Sequence, residues 1–168
     1  MEIRMITESD AEKFLELSKK LDQETRFMML EPGERNTTVE EQENQLRQLL
    51  TSGNSMIFVA EREETGELVG YIGLFGGRYI RISHCAHIVM GILENYRGQG
   101  LGKAFMQTAE QWARDTGIRR LELSVVTDNE VAIALYTKTG FEVEGLKKRS
   151  LLIDSRFVDE YYMVKLID

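Results

Sequence analysis

The sequence predicts an α/β (α+β) fold in one domain over residues 1–168: a mixed, mostly antiparallel twisted sheet with helices on both faces and one central β-α-β crossover. Three observations predict it. Strand-like pairs joined by short polar turns stand at the front and at the tail of the chain. A single strand-helix-strand run lies in the middle, and a crossover of that kind places two parallel strands side by side with right-handed connection. The composition, 42% hydrophobic and 29% charged in 168 residues with one proline, suits one ordinary core without a linker.

The elements follow in order. Residues 2–6 alternate weakly and read as a short strand. Thr7-Glu8-Ser9-Asp10 resembles a capping box, and Ala11, Phe14, Leu15, Leu17, Ser18 and Leu21 follow at helical spacing. A second box, Thr38-Val39-Glu40-Glu41, opens a helix through Leu46, Leu49 and Leu50 that stops near Gly53. The apolar stretch Arg26–Gly33 between them ends in a Pro-Gly turn and reads as a loop. Met56–Glu61 and Leu68–Phe75 form a hairpin around a polar turn, and Gly76-Gly77 breaks the pattern. His84–Leu93 is a long strand. Gly98–Gly117 is a helix with opening glycines, a core face of Leu101, Phe105, Ala109, Trp112 and Ala113, and Gly117 as its C-cap. Arg119–Val126 is a strand, and Asp128 or Asn129 caps a short helix through Lys138. Phe141–Glu144 starts another strand, and Lys147–Ile153 and Arg156–Leu166 are two more, joined at Asp154-Ser155.

The formal net charge of −7 removes a general nucleic-acid binder, which needs a basic face to displace counterions. A negative surface also favours a cationic substrate such as an amine. Cys85 is the only cysteine, so no intramolecular disulfide and no CxxC metal or redox motif exists, and it reads as a small core residue. The charged N-terminus lacks the apolar stretch of a signal peptide. No apolar run approaches the roughly 20 residues of a membrane span. These features predict a cytoplasmic protein that binds no membrane and no metal.

The most informative segment is Met90-Gly91-Ile92-Leu93-Glu94-Asn95-Tyr96-Arg97-Gly98-Gln99-Gly100-Leu101-Gly102-Lys103. A strand ends, a turn follows, and a helix begins among glycines. The first turn of a helix has N–H groups without partners, and the helix dipole adds positive potential. Glycines let a phosphate approach the backbone, and Arg97 adds a permanent positive charge. Together these point to a pyrophosphate. A Walker A loop fails, because Ala104 follows Gly102-Lys103 and offers no hydroxyl for Mg²⁺. The dinucleotide fingerprint GxGxxG meets GxGxG here, with Lys103 at its third glycine, and the chain has one crossover where that fold has several.

Arg97-Gly98-Gln99-Gly100-Leu101-Gly102 resembles the (Q/R)xxGx(G/A) signature of the GNAT family, the Gcn5-related N-acetyltransferases. About thirty residues on, Thr127–Phe141 resembles the family's N-x-x-A-x-x-x-Y-x-x-x-G-F segment through Asn129, Ala132, Tyr136, Gly140 and Phe141. The tail segments Glu144–Arg149 and Val158–Met163 are similar to the branch containing ribosomal-protein N-terminal acetyltransferases and bacterial small amino-acid or amine acetyltransferases. The resemblance implies acetyl-CoA as co-substrate and direct acetyl transfer to a primary amine, which could be a small amine, an amino acid or a peptide N-terminus. It assigns coenzyme binding to Met90, Gly91, Ile92, Arg97, Gly98, Gln99, Gly100, Leu101, Gly102, Asn129, Ala132 and Tyr136. A homodimer through tail strands or sheet edges is a further expectation.

The chemistry fits those residues. Asn129 offers both donor and acceptor to an amide-rich arm. Ala132 is small, and Tyr136 lies one helical turn beyond it on the same face, where its phenol can act as general acid toward the leaving thiolate. Otherwise Tyr136 is a half-buried aromatic whose hydroxyl finds a carbonyl. A backbone amide near Gly91 or Ile92 can serve the oxyanion. Some relatives place a basic Glu where this chain has Ser124, which leaves His87, Glu122 or water as the base. The run Lys147-Lys148-Arg149 reads as a solvated strand edge or as a contact to the coenzyme's phosphates. Acceptor sites in this family are built from the first loop, here Phe27–Glu31, and the tail strands. A non-catalytic acyl-CoA-binding or regulatory module on the same fold is the alternative.

Overall fold

A computed structural model describes residues 1–168. It contains seven strands and four α-helices: β1 (Glu2–Met5), α1 (Ala11–Glu24), α2 (Val39–Thr51), β2 (Met56–Glu61), β3 (Leu68–Gly76), β4 (Cys85–Ile92), α3 (Leu101–Thr116), β5 (Arg120–Val126), α4 (Glu130–Lys138), β6 (Glu142–Ile153) and β7 (Arg156–Leu166). The strands form one sheet in the order β1-β2-β3-β4-β5-β7-β6. Every neighbouring pair is antiparallel except β4 and β5, which the α3 crossover makes parallel.

The helix starts are set by local chemistry. At α2 the Thr38 hydroxyl accepts the Glu41 N–H at 3.1 Å while the Glu41 carboxylate accepts the Thr38 N–H at 3.1 Å, the reciprocal pair the sequence predicts. Before α1, Asp10 accepts from the Thr7 N–H at 2.8 Å and from the Arg4 guanidinium through both carboxylate oxygens at 2.8 Å, and Arg4 also grips Glu61 of β2. Gly117 closes α3 in the left-handed region at φ 80°.

The two sheet faces bury different helices. On one face Phe105 of α3, fully buried, lies over β3, where a Cβ at Gly70 would stand 3.2 Å from its ring. On the other, Leu21 of α1 packs so tightly on β4 that a Cβ at Gly91 would stand 2.7 Å from its Cδ1. Phe14 of α1 meets the Tyr71 ring of β3 edge-on at 5.0 Å. The sheet therefore carries helices on both faces, as the sequence predicts.

One expectation is corrected. Phe141–Glu144 and Lys147–Ile153 are not separate strands but one, β6, paired along β7 from Glu142↔Val164 to Ile153↔Arg156. Two register shifts, at Val143/Gly145 and Lys147/Leu151, absorb extra residues as bulges without ending the ladder. Arg149 lies in the second bulge at φ 52°, and its N–H donates to Asp159 Oδ1 at 2.7 Å.

Candidate active site

The site begins where the sheet opens. β4 runs to Ile92 and β5 to Val126, yet they pair only over Cys85↔Arg120, Ala86↔Leu121 and His87↔Glu122. Beyond His87 the two parallel strands part.

The register decides which β4 groups face the gap. Leu93 N–H donates to Val69 O at 2.9 Å and Gly77 N–H to Cys85 O at 3.0 Å, with no register shift between β3 and β4. Antiparallel ladders alternate, so the odd-numbered residues 85–93 spend their polar groups on β3. Gly91 therefore pairs with Tyr71, and the backbone groups of Met90 and Ile92 point into the gap. The missing side chain of Gly91 makes room for Leu21, and its amide is turned toward β3.

The glycine-rich loop follows directly. The Arg97 Nε–H donates to Ile92 O at 2.8 Å, which caps a gap-facing carbonyl and leaves the other guanidinium N–H groups outward. Gly98 and Gly100 adopt φ 71° and 85°, a backbone that L side chains rarely take. In that conformation the N–H groups of Gly98 through Lys103 have no protein acceptor, and the first inward bond is Ala104 N–H to Gly100 O at 3.0 Å. Gly102 serves packing: a Cβ there would stand 2.9 Å from Leu135 Cδ2 of α4. The loop thus combines unpaired N–H groups, a helix N-terminus and a cation, the donor set that suits a pyrophosphate.

α4 closes the same side. Asn129 is its N-cap, with Oδ1 accepting the Ala132 N–H at 3.3 Å. The acceptor half of that carboxamide is therefore used by the helix, and its NH₂ group is left for a ligand. Tyr136 is buried, its ring 5.9 Å from that of Phe141, and its hydroxyl makes no hydrogen bond to the protein. Burial pushes the phenol up to about 12, so it stays protonated through the physiological range.

His87 and Glu122 form the last closed rung, on the face opposite α3. Burial lowers the His87 imidazole, partly offset by the nearby Glu122 charge. Glu122 is bound by Arg120 at 2.9 Å, and Arg120 also holds Glu144 at 2.6 Å. Lys147 lies against the Tyr162 ring at 4.9 Å and Arg149 over Phe157 at 5.9 Å, so this basic run decorates the β6 edge, across β5 and β7 from the glycine loop. Cys85 is half-buried at the start of β4 and lies outside the core, which corrects the expectation of a small core residue; what burial it has raises the thiol.

A cavity of about 210 Å³ lies between the α1–α2 loop and the β6–β7 turn. Met28, Met29 and Leu30 line it with Leu151 and Leu152, and the charged lining is Asp22, Glu24, Glu31 and Asp154 against Arg26. Two ion pairs hold its loop: Asp22–Arg35 at 2.7 Å, with Asp22 buried, and Arg26–Asp128 at 2.7 Å, beside Asn129. Sequence reasoning missed two buried acids, Asp22 of α1 and Glu160 of β7, and Glu160 lies 3.6 Å from Lys147. The alternation within β7 was its only local signal.

A sheet that opens between two parallel strands, beside a loop of unpaired N–H groups, is built to hold an extended anionic ligand. The chain belongs to the acetyltransferase (GNAT) family, whose model matches residues 19–141. It is 32% identical over 105 residues to the L-amino acid N-acetyltransferase AaaT of Escherichia coli (strain K12), covering 60% of this chain and 63% of that protein. It is 38% identical over 85 residues to the N-alpha-acetyltransferase RimI of Mycobacterium tuberculosis, covering 50% of this chain and 51% of that one. Among solved structures, a GNAT-family acetyltransferase from Streptococcus pneumoniae superposes with a TM-score of 0.94 at 32% identity, over 99% of both chains. A phosphinothricin acetyltransferase from Sinorhizobium meliloti, in complex with acetyl-CoA, shares the fold at a TM-score of 0.86 and 20% identity, over 99% of this chain and 88% of that one. No helix is long and apolar enough to cross a membrane.

Proposed function

We propose that this protein is an acetyl-CoA-dependent N-acetyltransferase that moves the acetyl group directly to a primary amine. The observation that carries the reading is the conjunction at the gap: the free backbone of Met90 and the free N–H of Ile92, the unpaired N–H groups of Gly98–Lys103, and the unpartnered hydroxyl of buried Tyr136. In this reading Arg97 and the Gly98–Gly102 backbone hold the pyrophosphate. Met90 and Ile92 pair with the pantetheine arm as a neighbouring strand would, beside Ala132 and the Asn129 NH₂ group. One gap-facing amide, Met90 or Ile92, donates to the thioester oxygen. Tyr136 donates to the leaving sulfur as general acid.

The acceptor enters from the opposite face, through the cavity under the α1–α2 loop. Its acidic excess and modest volume support a small cationic amine, with an amino acid or peptide N-terminus as the alternatives. Thiol release from acetyl-CoA with a panel of amines, amino acids and short peptides tests the proposal. Amine-dependent turnover is expected. Tight acetyl-CoA binding without turnover on any acceptor would instead fit an acyl-CoA-binding module.

A further inference from the structure

We infer that Glu160, rather than His87 or Glu122, is the catalytic residue that receives the acceptor ammonium and takes its proton. The assignment rests on the transferase reading above. It comes from the sheet register.

On β5, Glu122, Ser124 and Val126 alternate onto one face, opposite to the core residues Leu121, Leu123 and Val125. Their partners on β7 are Val164, Tyr162 and Glu160, and Lys147 of β6 stands beside Glu160. This face opens to solvent, where Tyr162 and Leu166 are exposed.

The β4–β5 ladder ends at His87↔Glu122. Continued in the same register, it would bring Val89 beside Ser124 and Gly91 beside Val126. Glu160, directly across from Val126, therefore stands level with the gap-facing backbone of Met90 and Ile92. His87 and Glu122 lie two same-face positions short of that level, where the strands are still joined. Glu122 is also occupied by Arg120. Ser124 has no basic group, and Glu160 is its diagonal neighbour across β5 and β7, within the distance that long side chains span.

Glu160 has the properties the role needs. Its side chain is only 9% exposed, and it makes no hydrogen bond within the protein. Its one charged partner is the Lys147 ammonium at 3.6 Å, beyond hydrogen-bond length. His87 of β4, in register with Glu122, lies on the same sheet face as Glu160 and Lys147. The Glu160 oxygens reach solvent at the open face but find no protein donor, so an arriving ligand meets them free to accept from its own donors. An alkyl ammonium supplies three.

The acceptor ammonium gives one proton to Glu160, which passes it to solvent through the open face. The neutral nitrogen forms its bond to the acetyl carbon, the carbon–sulfur bond breaks, and the sulfur takes the Tyr136 proton. The second proton lost by the nitrogen restores Tyr136. The products are the amide, the free thiol and one proton in solution.

The test uses the full chain and three amines of falling basicity: propylamine, L-alaninamide and aminoacetonitrile. Glu160→Gln is expected to lower kcat/KM about 100-fold or more on propylamine. On aminoacetonitrile, already neutral at neutral pH, the loss shrinks to several-fold. The acetyl-CoA-induced rise in Tm should match the wild type, which shows that the fold and the coenzyme side are intact. Glu160→Asp, the variant to use should the glutamine protein fold poorly, should recover part of the propylamine rate. An equal loss on all three amines, no loss at all, or the basicity-dependent loss in His87→Gln instead, overturns the assignment and leaves the transferase reading standing. A wild type that turns over none of the amines counts against the transferase reading and takes this assignment with it.

Discussion

The two sides of the gap are built by different means. The side proposed for the coenzyme, from β4 through α3 to α4, presents backbone: unpaired N–H groups, free strand edges and glycines at fixed positions. The side proposed for the acceptor, from the α1–α2 loop to the β6–β7 hairpin, presents side chains held by ion pairs such as Asp22–Arg35, Arg26–Asp128 and Lys147–Glu160. A backbone site fits one ligand shape and tolerates little change. A side-chain site can be rebuilt residue by residue while the sheet stays as it is. One fold can thus keep its donor and vary its acceptor.

Substitutions on each side should therefore fail differently. The largest effect is expected at Tyr136→Phe, a loss of about 100-fold or more in kcat with little change in the Kd for acetyl-CoA. Single-turnover kinetics beside calorimetric binding check it, and an unchanged rate removes Tyr136 from the reaction. Next comes Arg97→Ala. Losing a charged donor to an anion costs about 1.5–3 kcal/mol, so the acetyl-CoA Kd should rise on the order of 10–100-fold while the acceptor KM holds. If both constants moved together, the two sides would not be separable.

Acid should instead weaken the frame that both sides share. The Arg4 guanidinium beside Asp10 holds that carboxyl down to about 2. A depressed carboxylate stabilises the fold above its unfolded value, and that stability is lost as pH falls toward the folded one. The contribution, about 2 kcal/mol, is present at neutral pH and disappears between about pH 4 and pH 2. Asp10→Asn should lower stability in urea at pH 7 by about that amount and converge with the wild type near pH 2. Equal gaps at both pH values would contradict the role of the Arg4 pair.

The smallest effect is expected at Arg26→Gln. Both partners of its pair with Asp128 are about half exposed, so global stability should change by less than about 1 kcal/mol. A several-fold rise in the acceptor KM, with the acetyl-CoA Kd unmoved, would show that the pair positions the acceptor loop.

The same contrast explains what the sequence revealed. Helix starts, glycines with positive φ and a cation at a helix N-terminus are local signals, and Arg97–Gly102 and Asn129–Phe141 carry them in order. The acceptor side depends on register between distant segments. Glu160 gains its place because β7 pairs with β5 so that it faces Val126, and no short motif records that pairing. β6 reads as two pieces because Gly145 looks like punctuation, while the ladder to β7 carries it across both bulges. At Gly91 the signal is local but its partner is not. A strand glycine signals a close approach, but its neighbour is Leu21, some seventy residues earlier in the chain.

The central claim is that the open edge of β4 takes the acyl donor as a neighbouring strand, through Met90 and Ile92. Amide hydrogen exchange at single-residue resolution, with and without acetyl-CoA, tests it most directly. In the free protein the Gly91 amide, bonded to β3, should exchange slowly and the Met90 amide fast. Acetyl-CoA should slow Met90 and Ile92 and leave Gly91 nearly unchanged. Tight binding with no added protection at Met90 or Ile92 would contradict the claim and place the donor elsewhere on the molecule.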